Sequence, residues 1–230
     1  MEFTLLGRAL VAVGAMWLTT RILDRDDALS DRVPKPWDVL LGATMVGLLV
    51  GRLWAMVGGG TNPLTTPLDI IFIRGGVDTI GAGLGALAAV AWWVRPSPAR
   101  MLDALAVPAL VGLAGWHGGC LVTGSCAGVA TTLPWAVESA GGIGRHPVEL
   151  YATLGLALGA FVLSRLDQPR PGTVAGLAII IAALVRAATE PLRLHLGSGL
   201  LVPYLIGIGV GVVALVALPR LAEQEPAEGE

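Results

Sequence analysis

Charge is scarce in this chain. Asp, Glu, Lys and Arg make up 14% of its 230 residues, while 54% are hydrophobic. A soluble domain carries roughly 25% charged residues, so the composition excludes an ordinary soluble fold and places the chain in lipid. What charge there is nearly cancels, to −2, and leaves no concentrated basic face for nucleic acid. Cysteine is almost missing. Its two copies, Cys120 and Cys126, stand at C-x5-C spacing, which is neither the C-x-x-C of thiol oxidoreductases nor a zinc pattern. They read as buried free thiols in a Gly-rich segment or, in an oxidising compartment, as a disulfide. No metal-ligand spacing occurs, and Gly58-Gly59-Gly60 lacks the Lys-Ser/Thr of a phosphate loop. Neither a metal nor a cofactor is expected. Phe and Tyr are few (3 and 2) beside 7 Trp, which suits an interfacial belt more than a soluble core.

What the chain does have is long apolar runs. At 1.5 Å rise per residue a span needs about 20 residues, and runs of that kind lie near 3–23, 37–57, 76–94, 101–119, 149–166, 172–189 and 199–218. The first lacks a basic leader and a small-x-small cleavage site, so it reads as a span and not a signal peptide. Gly118 to Gly128 is too irregular for a lipid-facing helix and belongs in the protein interior or near the outer surface. Lys and Arg in the short loops set the orientation. Nine (Arg21, Arg25, Arg32, Lys35, Arg95, Arg100, Arg165, Arg170, Arg220) fall on one side and three (Arg74, Arg145, Arg193) on the other. The expected fold is an all-α membrane protein of about seven transmembrane helices, N-terminus outside and C-terminus cytoplasmic. A single polytopic domain is expected over 1–222, with a disordered acidic tail over 223–230.

Several arginines break the positive-inside bias: Arg52, Arg74, Arg145, Arg186 and Arg193 gather on the predicted outer side. Buried in a membrane, each needs a partner or a wet cavity. An anionic lipid phosphate is one partner, taken up by bidentate hydrogen bonds; a nearby acid such as Glu190, Glu149 or Asp69 is the other. In Arg186-Ala-Ala-Thr-Glu190-Pro-Leu-Arg193 the first pair is spaced i,i+4 and Arg193 lies three beyond Glu190, so all three share one end of a helix. Pro191 should bend or end that helix. Arg145-His146-Pro147-Val148-Glu149-Leu150-Tyr151 opens a span, with Pro147 near the first helical position and Glu149 in the first turn.

HPxxLY followed one span later by RxxxEPxR resembles the prolipoprotein diacylglyceryl transferases, bacterial inner-membrane enzymes with seven spans. Gly51-Arg52-Leu53 is similar to the family's G-x-R-L segment, Pro67-Leu68-Asp69-Ile70-Ile71 before Gly75-Gly76 to its P-L-E-I stretch, and Thr132-Leu133-Pro134-Trp135-Ala136-Val137 to its D-L-P-W-A-V. The resemblance covers roughly residues 40 to 210. Arg52, Arg145, His146, Tyr151, Arg186, Glu190 and Arg193 match. The family's essential His is replaced by Ile80. Its signature G-R-x-G-N-F-x-N-G-E-x-x-G becomes Trp116-His117-Gly118-Gly119-Cys120-Leu121-Val122-Thr123-Gly124-Ser125-Cys126-Ala127-Gly128, with His117 for Arg, Cys120 for Asn and Ser125 for Glu. HPxxLYE ends in Ala152.

The resemblance implies transfer of the diacylglyceryl group of phosphatidylglycerol to the lipobox Cys thiol of a prolipoprotein, with release of glycerol phosphate, in a multi-pass protein of the bacterial plasma membrane. Phosphatidylglycerol or another anionic phospholipid and a prolipoprotein signal segment are then the partners. The chemistry needs cations on the departing phosphate and a base for the thiol. Arg52, Arg145, Arg193 and Tyr151 are candidates to bind the lipid phosphate. Arg186, Glu190, His146 and His117 are candidates for catalysis, although His146 also fits a helix cap and His117 a structural role. Two other readings stay open: a catalytically inactive member that binds anionic lipid or signal segments, and a small-molecule transporter suggested by Gly-rich broken spans.

Overall fold

A computed structural model of the chain describes residues 2–23, 34–71, 76–95, 97–123, 126–138, 142–167, 169–194 and 201–223. Arg25, Arg32, Arg74, Ser125 and the acidic tail past Glu223 lie outside the described residues. Each apolar run is helical: α1 Glu2–Leu23, α2 Pro36–Gly58, α4 Thr79–Trp93, α5 Pro98–Gly118, α7 Val148–Leu163, α8 Thr173–Thr189 and α9 Val202–Ala222. Two single turns, α3 Leu68–Ile71 and α6 Cys120–Thr123, lie between them. With no water to satisfy backbone groups, a helix that closes its own hydrogen bonds is what such a run can form in lipid. Among the described residues four helices are long and apolar enough to cross a membrane: Pro36–Gly58, Pro98–Gly118, Thr173–Leu192 and Val202–Ala222. Ile80–Trp93 and Val148–Leu163 are apolar but shorter. Many large apolar side chains face outward, among them Leu84, Leu87 and Trp92 on α4, Leu154 and Leu158 on α7, and Leu205, Ile206 and Val213 on α9. Water would not tolerate that much exposed apolar surface. Lipid does, and the chain is a multi-pass helical membrane protein.

Helix α5 is the hub. Its Ala106, Val107, Leu110 and Ala114 pack with Leu156, Ala160 and Leu163 of α7 and with Val174, Ala175 and Ala178 of α8. A second core joins Met16, Val39, Leu40, Val94, Met101 and Leu105, drawing α1, α2 and the end of α4 onto the start of α5. Between apolar helices in lipid, close van der Waals packing replaces the hydrophobic effect as the driving force, so interfaces select small residues. A Cβ added at Gly112 would lie 2.3 Å from Met16 Cγ, and one at Gly119 2.8 Å from Arg8 Cα. Gly112 of α5 and Gly119 just past its end thus seat α1 against it. Helix α8 has no side-chain cap of its own. Asp103 of α5 supplies one, accepting from Gly172 N at 2.6 Å and Ala175 N at 2.8 Å.

Within the irregular Gly118–Gly128 stretch, Cys120, Cys126 and Gly128 are buried while Leu121 is exposed. Cys120 and Cys126 are buried and joined in a disulfide, so the oxidised alternative holds over free thiols. An extended segment then runs beside a small antiparallel hairpin, β1 Val137–Glu138 and β2 Gly144–Arg145. It is stitched to that hairpin by Gly128 N to His146 O (2.7 Å), His146 N to Val129 O (3.0 Å) and Thr131 N to Gly144 O (2.9 Å). Its other edge reaches the end of α8 through Val129 N to Leu192 O at 2.9 Å. The two sequence motifs therefore meet across one strand-like segment. Gly128 makes this possible, since a Cβ there would sit 2.2 Å from both Leu192 O and Val148 Cγ2.

Candidate functional site

The site grows from the end of α8. The helix stops at Thr189, one residue before Glu190-Pro191, and tightens into a 3-10 turn over Glu190–Leu192. Pro191 has no N–H to continue the ladder, and Thr189 Oγ1 instead donates to the carbonyls of Val185 (2.9 Å) and Arg186 (3.2 Å). This turn holds Arg186, Glu190 and Arg193 together. The Glu190 carboxylate lies 3.8 Å from Arg186 Nη2 and 3.8 Å from Arg193 Nε, and accepts a hydrogen bond from Tyr204 Oη of α9 at 2.7 Å. Arg186 Nη2 donates to the same Tyr204 oxygen at 3.2 Å, with its guanidinium 5.7 Å from the ring centre.

Arg193 carries the network to α7, where its Nη2 lies 2.9 Å from Oε1 of Glu149. The other oxygen of Glu149, Oε2, takes a short hydrogen bond from Nδ1 of the buried His117 at the end of α5. Arg8 of α1, seated on Gly119, is close enough to act on the Glu149 carboxylate. Arg193 lies just past the last turn of its helix. Burial, and then the neighbouring Arg186, lower its pKa from the ordinary guanidinium value, while Glu149 and Glu190 oppose the shift. Three guanidiniums thus face two carboxylates beside the imidazole, an excess of positive charge. Among the described residues, Arg186 Nη1 is a buried donor that makes no hydrogen bond.

Other sequence candidates lie differently. Arg145 Nη1 donates to Gly128 O at 3.1 Å, bracing the strand-like segment. His146 does not cap α7, whose start has no side-chain cap. Its Nδ1 instead meets Tyr151 Oη at 3.3 Å, and that oxygen also accepts from Trp135 Nε1 at 2.8 Å. Arg52 is buried in α2, where Nε and Nη2 donate to Asp69 O at 2.9 and 2.8 Å and Nη1 to Gly76 O at 3.0 Å. It meets the backbone of Asp69, not the carboxylate, and holds the loop between α2 and α4. Ile80, at the position of the family His, is 68% exposed. Two members of the network were not singled out by sequence. Arg8 was legible as an arginine inside the first apolar run, where it needs a partner. Tyr204 had no such signal.

Fold and site together define a class: a multi-pass helical membrane protein with a buried, net-positive Arg/Glu/His cluster where its helices converge. Comparison with known proteins gives the particular family. The model of the prolipoprotein diacylglyceryl transferase family matches residues 6–219, and the chain belongs to that family. Relatives named phosphatidylglycerol–prolipoprotein diacylglyceryl transferase include one from Solidesulfovibrio magneticus, 32% identical over 95% of this chain and 89% of its own length. One from Polynucleobacter asymbioticus is 33% identical over 73% and 71%, and one from Cupriavidus necator 29% identical over 82% and 78%.

Proposed function

We propose that this chain is a phosphatidylglycerol–prolipoprotein diacylglyceryl transferase of the bacterial plasma membrane, with the phosphate of its lipid held by Arg186 and Arg193. The observation that carries this assignment is the buried Nη1 of Arg186, without a hydrogen bond among the described residues, in a cluster with excess positive charge. A phosphodiester brings one negative charge and acceptor oxygens suited to a guanidinium fork. As the lipid carbon–oxygen bond breaks, charge grows on the phosphate, and preorganised donors stabilise it without reorganising at that moment. Tyr204 and Glu190 hold Arg186 in place for this task. Arg145 and Arg52 act as braces for the loops around the site, and Tyr151 orders His146 and Trp135 beside it. The seven helices all cross the membrane as one domain, with the N-terminus and this site facing outward. The disulfide agrees with that side, since oxidising compartments preserve such bonds.

Exposed Ile80 in place of a histidine favours one other reading, a member that binds lipid without transferring it. Expression in a strain depleted of its own transferase separates the two. Restored growth, with lipidated prolipoprotein on a mobility assay, is the expected result. Phosphatidylglycerol binding without rescue would assign the chain to the inactive reading.

A further inference from the structure

We propose that His117 is the base that takes the proton of the acceptor thiol, and that Glu149 is a positioning residue that sets its tautomer. The inference rests on the transferase reading above. Of the histidines among the described residues, His117 is the one on a carboxylate; His146 meets a phenol. An ionised carboxylate only accepts hydrogen bonds, so the bond between His117 Nδ1 and Glu149 Oε2 places the imidazole proton on Nδ1. In the neutral ring Nε2 then carries the lone pair, and His117 makes no other hydrogen bond among the described residues. This is the base-and-orienter logic of nucleophilic catalysis, in which a carboxylate holds the ring and stabilises the imidazolium that forms.

The pair is firmly set. Glu149 is clamped from the far side by Arg193 at 2.9 Å. Thr153 Oγ1 donates to Glu149 O at 2.8 Å and to Ala114 O of α5 at 3.3 Å, fixing the start of α7 against the helix that bears His117. The same Arg193 leads to Glu190, Tyr204 and Arg186. The base and the phosphate-binding arginines are therefore joined in one charged network, as a reaction with a thiol at one end and a phosphate at the other requires. In the step, His117 Nε2 takes the thiol proton and the sulfur forms a bond to the lipid glyceryl carbon. The carbon–oxygen bond to phosphate breaks, its electron pair leaving on oxygen. The glycerol phosphate dianion so formed takes the proton from His117 and departs as the monoanion, restoring the ring.

An acceptor that is already ionised tests this. A lipobox peptide with selenocysteine in place of its cysteine presents a selenolate at neutral pH and needs no base. The protein in phosphatidylglycerol nanodiscs is given the cysteine or the selenocysteine peptide, and glycerol phosphate release is followed. His117→Gln is expected to slow the cysteine peptide by about 10²-fold or more, and the selenocysteine peptide far less. Glu149→Gln should show the same selectivity, with at least about a ten-fold loss on cysteine. A structural joint between α5 and α7 would instead reduce both peptides equally, and that result overturns the proposal. If His117→Gln does not accumulate as folded protein, Glu149→Gln carries the test alone. Failure of the unaltered chain to use either peptide overturns the transferase reading itself, and this proposal with it.

Discussion

Replacing Arg186 with Ala separates a phosphate ligand from a helix staple, because the structure makes the two costs unequal. As a staple, Arg186 contributes an ion pair to Glu190 at 3.8 Å. Two unit charges at that distance attract by about 4 kcal/mol at an effective dielectric of about 20. Desolvation and side-chain ordering cancel most of this, leaving under about 1 kcal/mol for an i,i+4 pair with some solvent access. The contact with the Tyr204 ring adds about 0.5–1 kcal/mol. Glu190 is not stranded by the change, since it keeps Tyr204 Oη at 2.7 Å and Arg193 at 3.8 Å. The larger penalty for an uncompensated buried charge therefore does not apply. Stability should fall by no more than about 2 kcal/mol. As a phosphate donor, its loss should cost about 10²–10³ in rate, roughly 2.7–4 kcal/mol of transition-state stabilisation. Thermal unfolding in detergent and glycerol phosphate release in nanodiscs read the two quantities on one preparation. Arg186→Lys should restore only part of the rate, since a point charge cannot reproduce the fork. The double change Arg186→Ala with Glu190→Ala should stay folded and inactive. Recovery of activity in the double variant, or retention of more than about a tenth of the rate in Arg186→Ala, would refute the assignment.

Gly128→Ala should lower the unfolding midpoint sharply and abolish activity with it, by about 1–3 kcal/mol or more, because the new Cβ meets an unyielding carbonyl 2.2 Å away. Gly83→Ala, where nothing lies within 4 Å, should leave both unchanged. Asp103→Ala should destabilise by about 1–2 kcal/mol through lost capping of α8, seen as an earlier thermal transition, with Asp103→Asn milder. A reporter active only outside the cytoplasm should work when fused after Gly60 or Gly142 and fail after Arg32 or Pro169. The opposite pattern would reverse the orientation and the outward-facing site.

Helix positions were open to the sequence because their cause is local. A run of apolar residues in lipid has to satisfy its backbone within itself, and α2, α5, α8 and α9 follow from that alone. The Arg186–Glu190–Arg193 grouping was legible for the same reason, since i,i+3 and i,i+4 neighbours share a face wherever the helix lies. Even the replacement of a family Arg by His117 could be read from the chain. Which residues meet across helices could not. Glu149 read as a first-turn acid and as a possible partner for an outer arginine, but which arginine it would meet, and its bond to His117 of α5, came only with the fold. Arg52 matched a phosphate-binding motif, yet the fold turns its fork onto two backbone carbonyls. The cysteines, at an uninformative spacing, are joined in a disulfide. Such contacts depend on how closely α1, α7 and α8 approach α5. That approach is set by where small residues such as Gly112, Gly119 and Gly128 let backbones touch, a property of paired surfaces that only the tertiary structure decides.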